Sequence, residues 1–241
     1  MNTSPGITLR GQHRIGDRVL FNADLHIPGA QWTCLLGPSG VGKSTILRLI
    51  LDLETGGDFN GSIAATDGMP LAGRISYMAQ SDLLLPWLSV LDNVCIGARL
   101  RGVAPDADRA CDLLRRVGLS DHSGQKPASL SGGMRQRAAL ARTLFEDRPI
   151  VFLDEPFSAL DAGTRADMQE LAAEVLGGRT VLLITHDPAE AARLADQITV
   201  MSAQGTQNWP TPETAALREI NAAETLACQA RLLSYLRGIA A

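Results

Sequence analysis

The sequence predicts an α/β fold with a mostly parallel sheet, and three observations carry that prediction. From residue 149 onward, short apolar runs alternate with helical stretches: strands at 150–153, 180–185 and 198–201, helices at 162–176 and 188–195. Such alternation implies parallel strands covered on both faces. Second, an apolar run at 34–36 leads into Gly-Pro-Ser-Gly-Val-Gly-Lys-Ser-Thr, residues 37–45, and then into a stretch free of Gly and Pro. That is strand, glycine-rich loop and helix in succession. Third, 241 residues with 45% apolar and 20% charged content suit one large α/β core, or a core with a small subdomain.

The elements follow in order. Residues 7–10 alternate as a short strand and 19–27 form a second, with Gly11, Gly16 and Asp17 as turn residues between them. An antiparallel pair is expected. Pro28-Gly29 turns the chain into a strand at 32–36. After the loop helix, 55–61 is turn-rich, and 62–65 and 74–78 are expected as strands. Ser89 can cap a helix running to Arg101. A second helix spans 105–117, with Asp106 and Asp108 at its positive end and Gly118 closing it. A long helix at 135–147 follows Ser131-Gly132-Gly133. This helical block interrupts the alternation and is expected as an inserted subdomain over 81–147, with the core at 7–80 and 148–202 and a helical tail at 203–241.

The totals narrow the function. A net charge of -4 argues against a nucleic-acid partner. Cys34, Cys95, Cys111 and Cys228 form no C-x-x-C pair, so they are expected as reduced thiols rather than a zinc site or disulfide frame. No apolar run approaches bilayer length, and residues 1–6 lack an apolar signal core. Any membrane role would need other chains to supply the membrane part.

The chemistry is concentrated in motifs. Gly37, Pro38, Ser39, Gly40, Val41, Gly42, Lys43, Ser44 and Thr45 fit G-x-x-x-x-G-K-[ST]. Glycines let backbone N–H groups close round a phosphate, and the helix beginning near Gly42 turns its positive end to the same anion. Lys43 would reach the β- and γ-phosphates, and the Ser44 hydroxyl would ligate Mg²⁺. Ile150-Val151-Phe152-Leu153 ends in Asp154-Glu155. A carboxylate at the end of a buried strand can hold Mg²⁺, and Glu155 can deprotonate a water for attack on the γ-phosphate. Ser131, Gly132 and Gly133 at a helix start make a second anion cradle, whose spacing suggests a nucleotide held elsewhere.

Together these residues resemble the ATP-binding subunit of an ABC transporter, a P-loop ATPase with an N-terminal antiparallel β part and an inserted helical subdomain. Leu130–Met134 resembles the family signature, with Met134 in place of its glutamine. Gln80 matches the glutamine loop, residues 158–161 the D-loop, and His186 the switch histidine. The motifs stand in the family's order over roughly residues 7–202. The resemblance implies a head-to-tail dimer with each ATP between the phosphate loop of one chain and the signature of the other. Ser131 and Gly133 would touch the partner's γ-phosphate, and Gln80 would reach Mg²⁺ and the attacking water. His186 would contact the γ-phosphate, and Asp161 would join the two sites. The family's adenine-stacking aromatic is missing, since residues 12–16 read Gln-His-Arg-Ile-Gly, leaving His13 or Arg14 to stack instead.

The resemblance extends to partners. Residues 83–94, an apolar cluster broken by Pro86, are either a docking groove for a membrane permease or ordinary core. Their form resembles importer ATPases for nitrate, sulfonate, taurine and thiamine precursors, closest to the hydroxymethylpyrimidine group. The implied setting is the cytoplasmic face of the plasma membrane, with permease subunits and, through them, a periplasmic binding protein. An exporter subunit and a soluble non-transport ATPase of the same family are the alternatives.

Overall fold

The computed structural model describes residues 4–239. The chain divides into two compact units, one of Met1–Ile75, Pro149–Phe152 and Gly178–Ala241, the other of Ser76–Arg148 and Leu153–Gly177.

The first unit opens with β1 (Ile7–Ile15) and β2 (Arg18–Ile27), paired antiparallel as expected, and β4 (Asp58–Ala65) joins the other edge of β1. Ile7, Leu9 and His13 of β1 and Phe21, Ala23, Leu25 and Ile27 of β2 point inward, the period-two pattern of a half-buried sheet. Gly11 is not a turn residue but a mid-strand position. It pairs with Gly61, and a Cβ on either would lie 2.6 Å from the other's Cα. The glycines are there for close backbone approach. The register slips between His13 and Arg14, so Leu20 of β2 is the extra residue of a bulge.

The second sheet has the order β5-β6-β7-β3-β8-β9. Its strands are β3 (Trp32–Leu36), β5 (Ile75–Met78), β6 (Ile150–Asp154), β7 (Thr180–Ile184), β8 (Gln197–Ser202) and β9 (Gly205–Trp209). β3 runs parallel to both β7 and β8, and every residue of β3, β6 and β7 is buried. Total burial explains why these segments read as unbroken apolar runs. β9 was not expected from the sequence. It pairs antiparallel with β8, and its Gly-Thr-Gln-Asn-Trp is too polar to announce a strand. β5 beyond Ile75 and the last two residues of β6 fall in the second unit, and helices α1 (Lys43–Ile50), α7 (Pro188–Leu194) and α8 (Ala223–Ile239) belong to the first.

The second unit is largely helical. The single helix expected from Ser89 to Arg101 is two, α2 (Val90–Val94) and α3 (Ile96–Leu100), divided at Cys95. Ser89 caps α2 as expected, accepting from the Asp92 N–H. Buried Asn93 ties α2 to the preceding loop, donating to the carbonyls of Leu85, Leu88 and Ser89 and accepting from the Leu85 N–H. Next come α4 (Ala107–Arg116), capped by Asp106 and closed by Gly118 at φ +68°, and α5 (Gly132–Phe145). α6 (Ala162–Val175) ends the unit. Among the described residues no helix is long and apolar enough to cross a membrane.

Candidate functional site

The glycine-rich loop links the buried end of β3 to α1 in the first unit. A Cβ at Gly37 would lie 2.2 Å from the Met201 carbonyl oxygen, and one at Gly42 2.7 Å from the Phe21 ring. Gly42, at φ +110°, is the residue before α1 and brings no capping side chain. Ser89, Asp106, Ser131, Asp161 and Asp187 each place a side-chain oxygen on the first turn of their helices. The start of α1 thus has no side-chain cap, and a helix start of this kind suits an anion. Lys43 is buried, and its ammonium donates to the carbonyls of Gly37 at 2.7 Å and Pro38 at 2.9 Å. A cation held over a glycine-walled loop at a helix start fits a polyphosphate. Ser39, Gly40 and Ser44 are exposed, with Val41 and Thr45 partly so.

His186 also belongs to the first unit and is exposed. It follows β7 and precedes Asp187, whose carboxylate caps α7 by accepting from the Ala189 N–H at 2.8 Å. His13 lies elsewhere. Its ring is fully buried and stacked on Phe21, with centroids 5.6 Å apart. That rules out the expectation that His13 stacks on a nucleobase, because His13 shares the inward face of β1 with Ile7 and Leu9. Arg14 is exposed and donates to the Asp17 carbonyl at 3.1 Å. A cavity of about 800 Å³ in this unit, lined among others by Ile50, Asp52, Ile63, Met69 and Leu71, contains none of the motif residues.

In the second unit the structure gathers Gln80, Glu155 and the start of α5. Asp154 is buried at the end of β6, and Glu155 follows it with φ +50°, a left-handed conformation strained for a residue with a side chain. The Gln80 amide donates to the Glu155 carboxylate at 3.2 Å. Ser131 caps α5, its hydroxyl oxygen accepting from the Met134 N–H at 3.2 Å. Gly132 and Gly133 form the first turn, so the helix starts three residues before the expected Arg135. A Cβ at Gly133 would lie 3.2 Å from the Ala159 carbonyl oxygen. Asp161 caps α6, and the Thr164 N–H and hydroxyl hold its carboxyl below the usual carboxylate range.

The apolar cluster at 83–94 divides between the two readings it allowed. Leu84, Val90 and Val94 are core, whereas Leu83 and Trp87 are 61% and 67% exposed. Arginines of α5 hold its leading edge. Arg142 donates to the carbonyls of Asp82 and Leu83, and Arg135 bridges the Asp82 carboxylate and the Leu130 carbonyl. Sequence reasoning gave no role to these arginines or to Gln136. A signal for Gln136 was present, because Gln136, Ala139, Leu140 and Thr143 share one helical face and all are buried.

Among the described residues, no group of three or more His, Cys, Asp or Glu stands ready to hold a metal. Mg²⁺ commonly takes one or two protein carboxylates together with phosphate oxygens and water. The donor types Ser44, Gln80 and Asp154 are therefore chemically suited to it.

Comparison with known proteins agrees with this geometry. The ABC transporter family model matches residues 20–158. The chain is 41% identical over 230 residues to an uncharacterized ABC transporter ATP-binding protein of Haemophilus influenzae, spanning 92% of this chain and 94% of that protein. An aliphatic sulfonates import ATP-binding protein of Rhodococcus jostii is 45% identical over 196 residues, spanning 80% and 77% of the two chains. One from Agrobacterium fabrum is 46% identical over 191 residues, spanning 77% and 71%. Among solved structures, a dimeric post-hydrolysis ATP-binding cassette with ADP and Pi superposes with a TM-score of 0.73 at 27% identity, over 88% of this chain and 99% of that one. A bacterial Atm1-family exporter with ATP bound shares the fold at TM-score 0.75 and 23% identity, over 96% of this chain and 42% of that one.

Proposed function

The chain belongs to the ABC transporter family as an ATP-hydrolysing subunit, and on that premise we propose that it powers import of a small organic anion. The sequence left nitrate, sulfonate, taurine and thiamine precursors open as cargo. Relatives named for aliphatic sulfonate import, at 44–46% identity, favour a sulfonate. In this reading the subunit sits at the cytoplasmic face of the membrane against permease subunits, which receive cargo from a periplasmic binding protein. Exposed Leu83 and Trp87 are the contact offered to the permease.

The observation that carries the reading is the Lys43 ammonium, held by two loop carbonyls beneath a glycine wall. Lys43 neutralises the β- and γ-phosphates of ATP, and the loop N–H groups orient them. Glu155 takes a proton from water as the water oxygen bonds to the γ-phosphorus, and the bond to the bridging oxygen of ADP breaks. Gln80, already on the Glu155 carboxylate, orients that water. His186 donates to a γ-phosphate oxygen. Bound Mg²⁺, for which Ser44, Asp154 and Gln80 supply the oxygens, would offset charge on the phosphate oxygens. Ser131 and Gly133 serve the nucleotide of a second copy packed head to tail, and Asp161 lies at that junction. ATP closes this dimer and hydrolysis reopens it.

Two variants test the reading. Glu155→Gln is expected to keep ATP binding, slow turnover by about a hundredfold or more and accumulate an ATP-bound dimer on size-exclusion chromatography. Wild-type turnover in that variant would remove Glu155 as the base. Lys43→Ala is expected to lose nucleotide affinity by equilibrium titration, and retained affinity would remove the phosphate loop from the account.

A further inference from the structure

We propose that Gln136 is a positioning residue for Glu155, holding the base at its angle of attack from the helix that carries the signature serine. The proposal deepens the reading above and rests on Glu155 acting as the base.

Glu155 adopts φ +50° without being glycine. A side-chain-bearing residue stays in that region only where its surroundings over-determine it. The surroundings here are specific. The Gln136 amide donates to the Glu155 carbonyl at 3.0 Å and lies 3.3 Å from the Ser158 hydroxyl. That hydroxyl itself donates to the Glu155 carbonyl at 3.0 Å. At its other end, the Gln136 oxygen accepts from the Ala159 N–H at 2.8 Å. One buried side chain therefore spans the whole turn 155–159, fixing the first residue by its carbonyl and the last by its N–H.

The reach depends on α5 lying close to the turn. Gly133 stands one helical turn before Gln136, and a Cβ there would meet the Ala159 carbonyl oxygen at 3.2 Å. Gln136 itself is buried, so losing these contacts would leave its amide unsatisfied, although Ser158 and Ala159 are exposed. Rotation of the Glu155 peptide would swing its carboxylate away from the attacking water, and small misplacements of a catalytic group cost large factors in rate. The side-chain contacts of Gln136 given above are with the turn 155–159. The effect belongs to kcat and leaves binding alone.

The test uses the full chain, measuring ATP turnover and ATP affinity. Gln136→Met keeps length and packing but removes all three contacts. It is expected to lower kcat about ten- to a hundredfold with ATP affinity changed less than about twofold. In a Glu155→Gln background, the same substitution is expected to cause no further loss, since the group it positions is already gone. Gln136→Glu supplies a second signature. Its oxygen still accepts from Ala159, but only the protonated acid can donate to the Glu155 carbonyl. Burial raises a carboxyl pKa, so this variant's rate relative to wild type should recover as pH falls. If Gln136→Met does not fold, Gln136→Glu carries the test through this pH profile. An equal loss of rate in both backgrounds, an unchanged kcat, or a Gln136→Glu ratio flat with pH would each overturn the proposal. Wild-type turnover in Glu155→Gln alone would instead overturn the reading of the base on which it stands.

Discussion

Gly40 and Gly42 both adopt positive φ in the same loop, yet they are not equivalent. Gly40, at φ +76°, has nothing within 4 Å of a would-be Cβ, while Gly42 has the Phe21 ring at 2.7 Å. Gly40→Ala therefore bears only the backbone term, about 1–2 kcal/mol. Gly42→Ala adds a collision with a buried aromatic ring, so it should be the more damaging of the two, both in melting temperature and in nucleotide affinity. Equal effects from the two would show that packing against Phe21 does not shape the loop. His13, beneath that ring, illustrates where single residues escape sequence reasoning. Its position twenty-odd residues before the loop suggested a surface role. The sequence ended the first strand at residue 10, and the continuation of β1 to Ile15 sets His13 on the same inward face as Ile7 and Leu9. Ser131, Asp154 and Glu155 stood out because their motifs fix residue type and spacing together, and His186 only through the family resemblance. Gln136 was not, because an amide on a helix declares no chemistry until its partners are placed.

At the scale of elements, the strands that sequence located best are the wholly buried ones, β3, β6 and β7, where an apolar run permits few alternatives. Those it shortened or missed, β1, β4 and β9, hold polar and glycine residues whose strand state depends on the neighbour across the ladder. The division at Cys95 likewise had no signal in the sequence, and α3 beyond it lies against Glu146. A Cβ at Gly97 would overlap the Glu146 carboxylate, which pairs with Arg101 and Arg148. Some helix starts, by contrast, were legible through their caps, as at Ser89, and the cap of α6 titrates. The carboxylate of Asp161 is stabilised in the folded chain by the Thr164 N–H and hydroxyl, so its pKa lies below the unfolded value of about 4. Its contribution is fully present above that value and is lost as pH falls through the lower, folded one. Asp161→Asn retains a capping oxygen without the charge. The melting temperatures of wild type and variant should therefore converge as pH is taken from 5 to below 3. A constant difference would assign the titration to other groups.

For the molecule as a whole, the proposed function expects activity to require two copies, with the signature of each serving the nucleotide held by the other's loop. Ser131→Arg should leave ATP binding by the isolated chain nearly intact and abolish ATP-driven dimerisation, as read by light scattering. Loss of binding by the monomer would instead place Ser131 at its own chain's nucleotide. The segment after β9 is part of this molecule's architecture too. The buried guanidinium of Arg218 donates to the carbonyls of Ala192 and Ala195 at the end of α7, and to those of Pro212 and Thr214. Burial pushes its pKa down from the usual arginine value. Arg218→Met would orphan those carbonyls and should cost about 2–4 kcal/mol in unfolding free energy, measurable by denaturant titration. Anyone wishing to splice a sensor or an affinity handle onto this subunit thereby inherits a boundary. A graft point upstream of Arg218 would strip the fastening from the helix that begins beside His186, whereas one set beyond α8 leaves it whole.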